Sequence, residues 1–176
     1  MSRFTLVVID MQPIFGDPSS PWGTQGFDEI LPTIAELAKG ADKVIATRFV
    51  PHDEPPGMWL PYYEIWSEVR SERYVGHFDL VPEVEALAER VVSAPTFSKW
   101  EVIAPEIEGT VVLCGVATEC CVLSTAIGGI DAGVPIRVIA EACRGATSDL
   151  SSAALAVLGS YAPHCEIRLA DEAYGE

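Results

Sequence analysis

Basic residues are scarce in this chain: 11 Lys and Arg stand against 26 Asp and Glu, leaving a net charge of −15. A surface of that sign repels phosphate backbones, which argues against a nucleic-acid partner. It mildly favours a cationic ligand, although solubility explains the acidity equally well. No apolar run approaches the roughly 18 residues needed to cross a bilayer, so the expectation is a soluble protein with no membrane partner. The opening Met1-Ser2-Arg3-Phe4-Thr5 passes directly into a strand-like segment and lacks the layout of a signal peptide, which points to a cytoplasmic location. The five cysteines (Cys114, Cys120, Cys121, Cys143 and Cys165) are odd in number and irregularly spaced, which speaks against a disulfide framework. There is no pair of Cys-x-x-Cys motifs and no His-x-x-x-His, so a structural zinc site has no support, and no metal or cofactor is expected. Internal repeats, low-complexity tracts and an interdomain linker are missing too.

What remains is the length and composition of one globular domain, expected over residues 1–176, with 49% hydrophobic and 21% charged residues. Short runs rich in Val and Ile alternate with helical patterns, the signature of a parallel sheet covered on both faces. The spacing predicts strands at 4–10, 43–48, 90–94, 110–115, 135–140 and 164–169. Helices are expected at 27–39, 60–71, 82–88, 119–132 and 148–160. In the fourth of these, Val122, Ala126 and Ile130 recur every four residues and should face the sheet. Gly128 and Gly129 interrupt that helix, and each costs about 1 kcal/mol relative to Ala, so they suggest close approach of another backbone, conceivably of a second subunit.

The segment Gly115-Val116-Ala117-Thr118-Glu119-Cys120-Cys121-Val122 runs from an apolar strand into a helix and so sets a cysteine at a helix start. Unpaired backbone N–H groups and the positive end of the helix dipole stabilise a thiolate or an oxyanion there. Cysteine is also commonly a small core residue. In open parallel sheets, ligands bind outside the carboxyl ends of the strands, where the winding direction reverses. The first strand ends in Asp10 at that edge, and Lys99 follows the third. Singly, Asp10 could be a turn cap and Lys99 a solvated loop residue. Together with Cys121 they make a base, a cation and a nucleophile delivered to one rim of the sheet.

Three motifs, Val7-Val8-Ile9-Asp10-Met11-Gln12, Phe97-Ser98-Lys99 and Gly115-Val116-Ala117-Thr118-Glu119-Cys120-Cys121-Val122-Leu123-Ser124-Thr125-Ala126, resemble the isochorismatase-like cysteine hydrolases, a superfamily that includes nicotinamidases and N-carbamoylsarcosine amidase. The resemblance implies an α/β fold of three α/β/α layers around a six-stranded parallel sheet in the order 3-2-1-4-5-6. It implies a catalytic Asp10, Lys99 and Cys121, oxyanion donors at the backbone N–H groups of Ala117 and Cys121, a cis peptide at Val116–Ala117, and a homo-oligomer (dimer or tetramer). Cys120 stands where relatives usually carry an apolar residue and is taken as packing.

Two departures bear on function. Nicotinamidases carry an Asp-x-His metal motif after the second strand. Here His52 and Asp53 are adjacent and reversed, which leaves a surface pair as the simpler reading and removes the usual anchor for a pyridine nitrogen. The stretch from Lys99 to Cys121 is about ten residues shorter than in many relatives, its helix reduced to 101–107, which puts the reach of the lysine in question. The resulting expectation is a cysteine-dependent hydrolase of a small non-peptide amide, acting through a thioester. The alternatives are an isochorismatase-type vinyl ether hydrolase, or a non-catalytic scaffold binding a small molecule. The loops at 13–26 and 49–79 should shape the pocket, with Gln12, Phe15, Trp22, Arg48 and Trp59 as candidate substrate-binding residues.

Overall fold

The computed structural model describes residues 4–173; residues 1–3, which open the expected N-terminal strand-like run, and 174–176 lie outside it. Six strands, β1 (Phe4–Ile9), β2 (Lys43–Phe49), β3 (Arg90–Ala94), β4 (Thr110–Val116), β5 (Ile136–Arg144) and β6 (Cys165–Arg168), form one sheet. Their order is β3-β2-β1-β4-β5-β6 and every neighbouring pair is parallel. Among the described residues the helices are α1 (Pro13–Gly16), α2 (Leu31–Gly40), α3 (Trp59–Ile65), α4 (Pro82–Glu85), α5 (Trp100–Ile103), α6 (Leu123–Asp131) and α7 (Ser148–Gly159).

The near-continuous apolar strands follow from coverage of both sheet faces. Side chains alternate along β1. Phe4, Leu6 and Val8 pack with Ile34 and Leu37 of α2 and with Tyr63 and Tyr74 of the long connection after β2. Val7 and Ile9 face the opposite way, onto Ala126 and Ile130 of α6 and Leu158 of α7. The winding direction changes between β1 and β4, so the rim beyond those two strands is the natural crevice. They approach unusually closely there. Gly115 has φ +111, and a Cβ on it would sit 2.1 Å from the Ile9 carbonyl oxygen, so only glycine fits.

Several boundaries differ from expectation. β5 continues to Arg144 because its ladder with β4 resumes after an irregularity: Leu113 pairs with Val138, but Gly115 pairs with Cys143. The single helix expected at 60–71 ends at Ile65 and gives way to 3-10 turns at Ser67–Arg70 and Glu72–Tyr74. Its buried side chains, Tyr63, Val69 and Tyr74, are six and five residues apart, a spacing that no single helical face supplies. The helix expected at 27–39 opens as a 3-10 turn, Asp28–Ile30, before α2 begins with Pro32 in its first turn. Side chains of the same chain cover the glycine pair in α6: a Cβ built on Gly128 would lie 2.6 Å from the Trp100 Cβ, and one built on Gly129 would lie 2.5 Å from Ile136 Cδ1 and 2.9 Å from the Trp100 ring.

Candidate active site

Asp10 is the first residue past β1 and has φ 49, a left-handed conformation that Asp tolerates better than most residues. This turn takes its side chain out of the strand's alternation and into the crevice. The carboxyl is completely buried. Thr47, at the end of the adjacent strand β2, donates its hydroxyl to Asp10 Oδ1 at 2.6 Å and accepts from the Asp10 N–H at 3.2 Å. A buried carboxylate needs such partners.

The cation comes from the loop after β3. Lys99 is also fully buried, with Nζ 2.8 Å from Asp10 Oδ2. The ammonium donates to the carbonyls of Thr96 at 2.6 Å and Phe97 at 3.2 Å, and it lies 5.2 Å from the centre of the Phe49 ring. Its approach to Asp10 is too oblique for a hydrogen bond, so Oδ2 has an ionic neighbour but no aligned donor. The short connection does bring the lysine into place. Trp100, the next residue, begins α5 and sits on Gly128 and Gly129 of α6, while the Lys99 N–H donates to Thr125 Oγ1 at 2.9 Å. The small residues of α6 are therefore a seat for the segment that carries the lysine.

Cys121 lies in the turn that joins β4 to α6. That turn is a π-helical one, Thr118–Val122, in which the Val122 N–H reaches five residues back to the Ala117 carbonyl. An α-helix had been expected from Glu119 onward; the wider turn leaves the apolar period of α6 intact and is thus invisible in the spacing. The Val116–Ala117 peptide bond is cis. The Cys121 side chain is 3% exposed. Burial first, and then the charge of the facing Asp10 carboxylate, push its thiol well above the ordinary range, against a smaller lowering by Lys99. The helix-start argument anticipated a thiolate. Here burial and the facing carboxylate act in the opposite direction, toward the neutral thiol.

Cys121, with Ala117 before it, lines a cavity of about 190 Å³, and Asp10 and Lys99 lie buried outside its lining. Phe15 and Trp22 line it, their rings stacked with centroids 6.0 Å apart. The other three candidate substrate residues lie elsewhere. Gln12 is fully buried and bridges two loops, donating to the carbonyls of Phe49 at 3.0 Å and Phe78 at 2.5 Å and accepting from the Phe49 N–H at 2.8 Å. Arg48 turns away to Asp79 at 3.1 Å and Ser93 at 3.2 Å, because its alternation along β2 is opposite to that of Thr47 and Phe49. Trp59 packs outside the cavity, against Phe97 and over His52. Cys120, taken from the sequence as packing, instead lines the cavity beside Cys121 and is partly exposed.

Phe49 and Trp66 of the cavity wall belong to the 49–79 connection expected to shape it, whereas sequence reasoning missed Phe97 and Glu119 in the wall, and Thr47 and Thr125 behind it. Thr125 had a readable signal, four residues after Cys121 on one helical face. Thr47 did not, since its role depends on the register of β2 against β1. His52 packs against Trp59 and the Asp53 carbonyl accepts from Arg70, and among the described residues there is no group of three or more His, Cys, Asp or Glu side chains placed to hold an ion.

A family model described as the isochorismatase domain matches residues 4–166. The chain belongs to the isochorismatase family. An isochorismatase domain-containing protein 2 of Xenopus laevis is 28% identical over 118 residues, covering 66% of this chain and 51% of that protein. The corresponding protein 2A of Mus musculus is 35% identical over 68 residues, 36% of this chain and 33% of that one. The chain thus spans about half or less of the curated relatives it matches. Among solved structures, a cysteine hydrolase from Pseudomonas syringae pv. phaseolicola superposes with a TM-score of 0.79 at 17% identity, covering 97% of this chain and 90% of that one. A pyrazinamidase of Pyrococcus horikoshii in complex with zinc gives 0.70 at 21% identity, covering 96% and 99%. At such identities these two establish the shared isochorismatase-like fold. No helix among the described residues is long and apolar enough to cross a membrane.

Proposed function

We propose that this protein hydrolyses a small non-peptide amide or related carbon–nitrogen bond, with Cys121 as nucleophile, Asp10 as the proton carrier and Lys99 as the balancing cation. The observation that carries the reading is the completely buried Asp10–Lys99 pair, 2.8 Å apart, facing the Cys121 thiol at the wall of a small cavity. Burying two charges is costly, and a fold gains little stability from doing so. A thiol beside them gives the pair a chemical use.

Asp10 Oδ2, which lacks an aligned donor, accepts the thiol proton as Sγ attacks the substrate carbonyl carbon. The thiol stays protonated until a carbonyl is in place, which couples proton transfer to attack. The Ala117 and Cys121 N–H groups receive the carbonyl oxygen as it becomes an oxyanion, a contribution of about 3 kcal/mol per donor in comparable sites. The carbon–nitrogen bond then breaks, the Asp10 proton leaves with the amine or ammonia, and a thioester remains on Cys121. Water attacks the thioester, Asp10 takes its proton, and collapse returns the carboxylic acid and, with that proton, the thiol. Throughout, Lys99 balances the charge of the carboxylate, and Thr47 fixes its orientation.

The vinyl ether alternative makes no use of a nucleophilic thiol, and the scaffold alternative makes no use of the buried ion pair. The test is a panel of small amides with ammonia release as the readout and intact-protein mass spectrometry for the acyl adduct. An adduct on Cys121 during turnover, absent together with activity in Cys121→Ser, is the expected result. Turnover that survives Cys121→Ser would refute the nucleophile.

A further inference from the structure

The wall of the cavity beside Cys121 includes the aromatic side chains of Phe15, Trp22, Phe49, Trp66 and Phe97, and among the described residues Glu119 is the only charged residue that lines it. Glu119 Oε1 accepts from the Ala146 N–H at 2.8 Å. Its Oε2 is buried, has no hydrogen-bond partner, and among the described residues no Lys or Arg pairs with it. Lys99 is not free to serve a ligand, because it lies outside the lining of the cavity and its ammonium is already engaged by Thr96, Phe97 and Asp10.

An anionic substrate would therefore lose its hydration shell and find no cation in return, with a carboxylate beside it. A cation meets the reverse: an uncompensated carboxylate, and aromatic side chains whose rings can attract it. The acidity of the whole chain, −15, adds attraction at long range.

We infer that the substrate is a small amide whose body carries a cationic group, such as an ammonium, held between the aromatic wall and the Glu119 carboxylate. As a statement about the substrate it rests on the proposed hydrolase reading. The charge preference of the cavity does not, and binding and turnover can be measured apart. Glu119 is then a specificity residue, selecting for positive charge and rejecting carboxylates.

Three benzamides matched in shape test this: meta-(aminomethyl)benzamide, meta-ethylbenzamide and meta-carboxybenzamide, titrated by calorimetry into the Cys121→Ser protein at neutral pH. The ammonium compound should bind at least about tenfold tighter than the ethyl one and about a hundredfold tighter than the carboxylate. Adding Glu119→Gln, which retains the Oε1 acceptor for Ala146 and converts the free oxygen into a donor, should narrow the ammonium-to-ethyl ratio at least about fivefold. Equal binding of the three, tighter binding of the carboxylate, no binding of the ammonium compound, or an unchanged ratio in Glu119→Gln would each overturn the inference. Ammonia release by the unmodified protein reads the other question. Selective binding of the ammonium amide without turnover or acylation of Cys121 would leave the charge preference standing and count against the hydrolase; hydrolysis of all three at equal kcat/KM would do the opposite.

Discussion

Replacing Lys99 by Met removes the positive half of a pair in which both side chains are fully buried and the charged atoms are 2.8 Å apart. At an effective dielectric constant of about 20 the lost attraction is about 6 kcal/mol. Release of the lysine from its own desolvation offsets part of that, but the Asp10 carboxylate stays behind without a cation, and the Thr96 and Phe97 carbonyls lose their donor. The expected cost is about 3–5 kcal/mol, the range for breaking a buried pair from one side. Asp10→Asn should cost less than Lys99→Met, because an amide oxygen still accepts from Thr47, but it leaves the ammonium short of a counter-charge. In the double variant neither charge is stranded, so its loss should fall short of the sum of the singles by about 2 kcal/mol or more. Urea unfolding followed by tryptophan fluorescence, with m-values compared to check that the cooperative unit is unchanged, measures all four corners of the cycle. Additivity within about 0.5 kcal/mol would refute the claim that the two charges depend on each other. Ammonia release should show a stronger form of the same coupling, the double variant being about as inactive as either single one.

Gly128→Ala sets a methyl 2.6 Å from the Trp100 Cβ, so the indole must lift and the Lys99 loop with it; a stability loss of about 1–3 kcal/mol, with a larger proportional loss of kcat than of KM, is expected from unfolding and steady-state kinetics. Gln12→Ala strands the Phe49 N–H and the Phe49 and Phe78 carbonyls in the interior, and should cost about 2–4 kcal/mol by thermal and urea unfolding; a change below about 0.5 kcal/mol would refute the bridging role. Burial pushes the Cys143 thiol up to about 12 and the Cys165 thiol up to about 11. A thiol raised on folding keeps its proton where the unfolded chain has lost it. Stability is therefore complete below the unfolded value of about 8.5 and is lost as pH rises from there toward about 11. Under reducing conditions the melting temperature should fall steadily across that window, and less so in the Cys143→Ala, Cys165→Ala double variant; a flat profile would show that the buried thiols ionise as freely as unfolded ones.

The architecture was open to reading because its cause is local and periodic. Runs such as Leu6-Val7-Val8-Ile9 must be buried on both sides, which demands a parallel sheet with helices on each face, and the spacing of Val122, Ala126 and Ile130 fixes which side of α6 meets it. Residues standing at strand ends, Asp10 and Cys121 among them, could be assigned to one rim for the same reason. Other features answer to neighbours far off in the chain. Gln12 and Arg48 looked like pocket residues until the register of β2 turned one into a bridge and the other toward Asp79. Gly128 and Gly129 signalled a close approach, but only the folded chain shows that the occupant is Trp100 and that the approach delivers Lys99.

Residue types and their order along the polymer determined the layers, the rim where the crevice opens, and the three side chains proposed to do acid–base and nucleophilic chemistry there, since hydrophobic period and strand polarity are properties of short segments. Only the tertiary structure decided the state of those groups. Burial and the facing Asp10 carboxylate push the Cys121 thiol well above its ordinary range, and the cavity wall is largely aromatic, with Glu119 the only charged residue among those described, because loops distant in sequence close around it. Desolvation and charge proximity depend on distances through space, and those do not exist until the chain has folded.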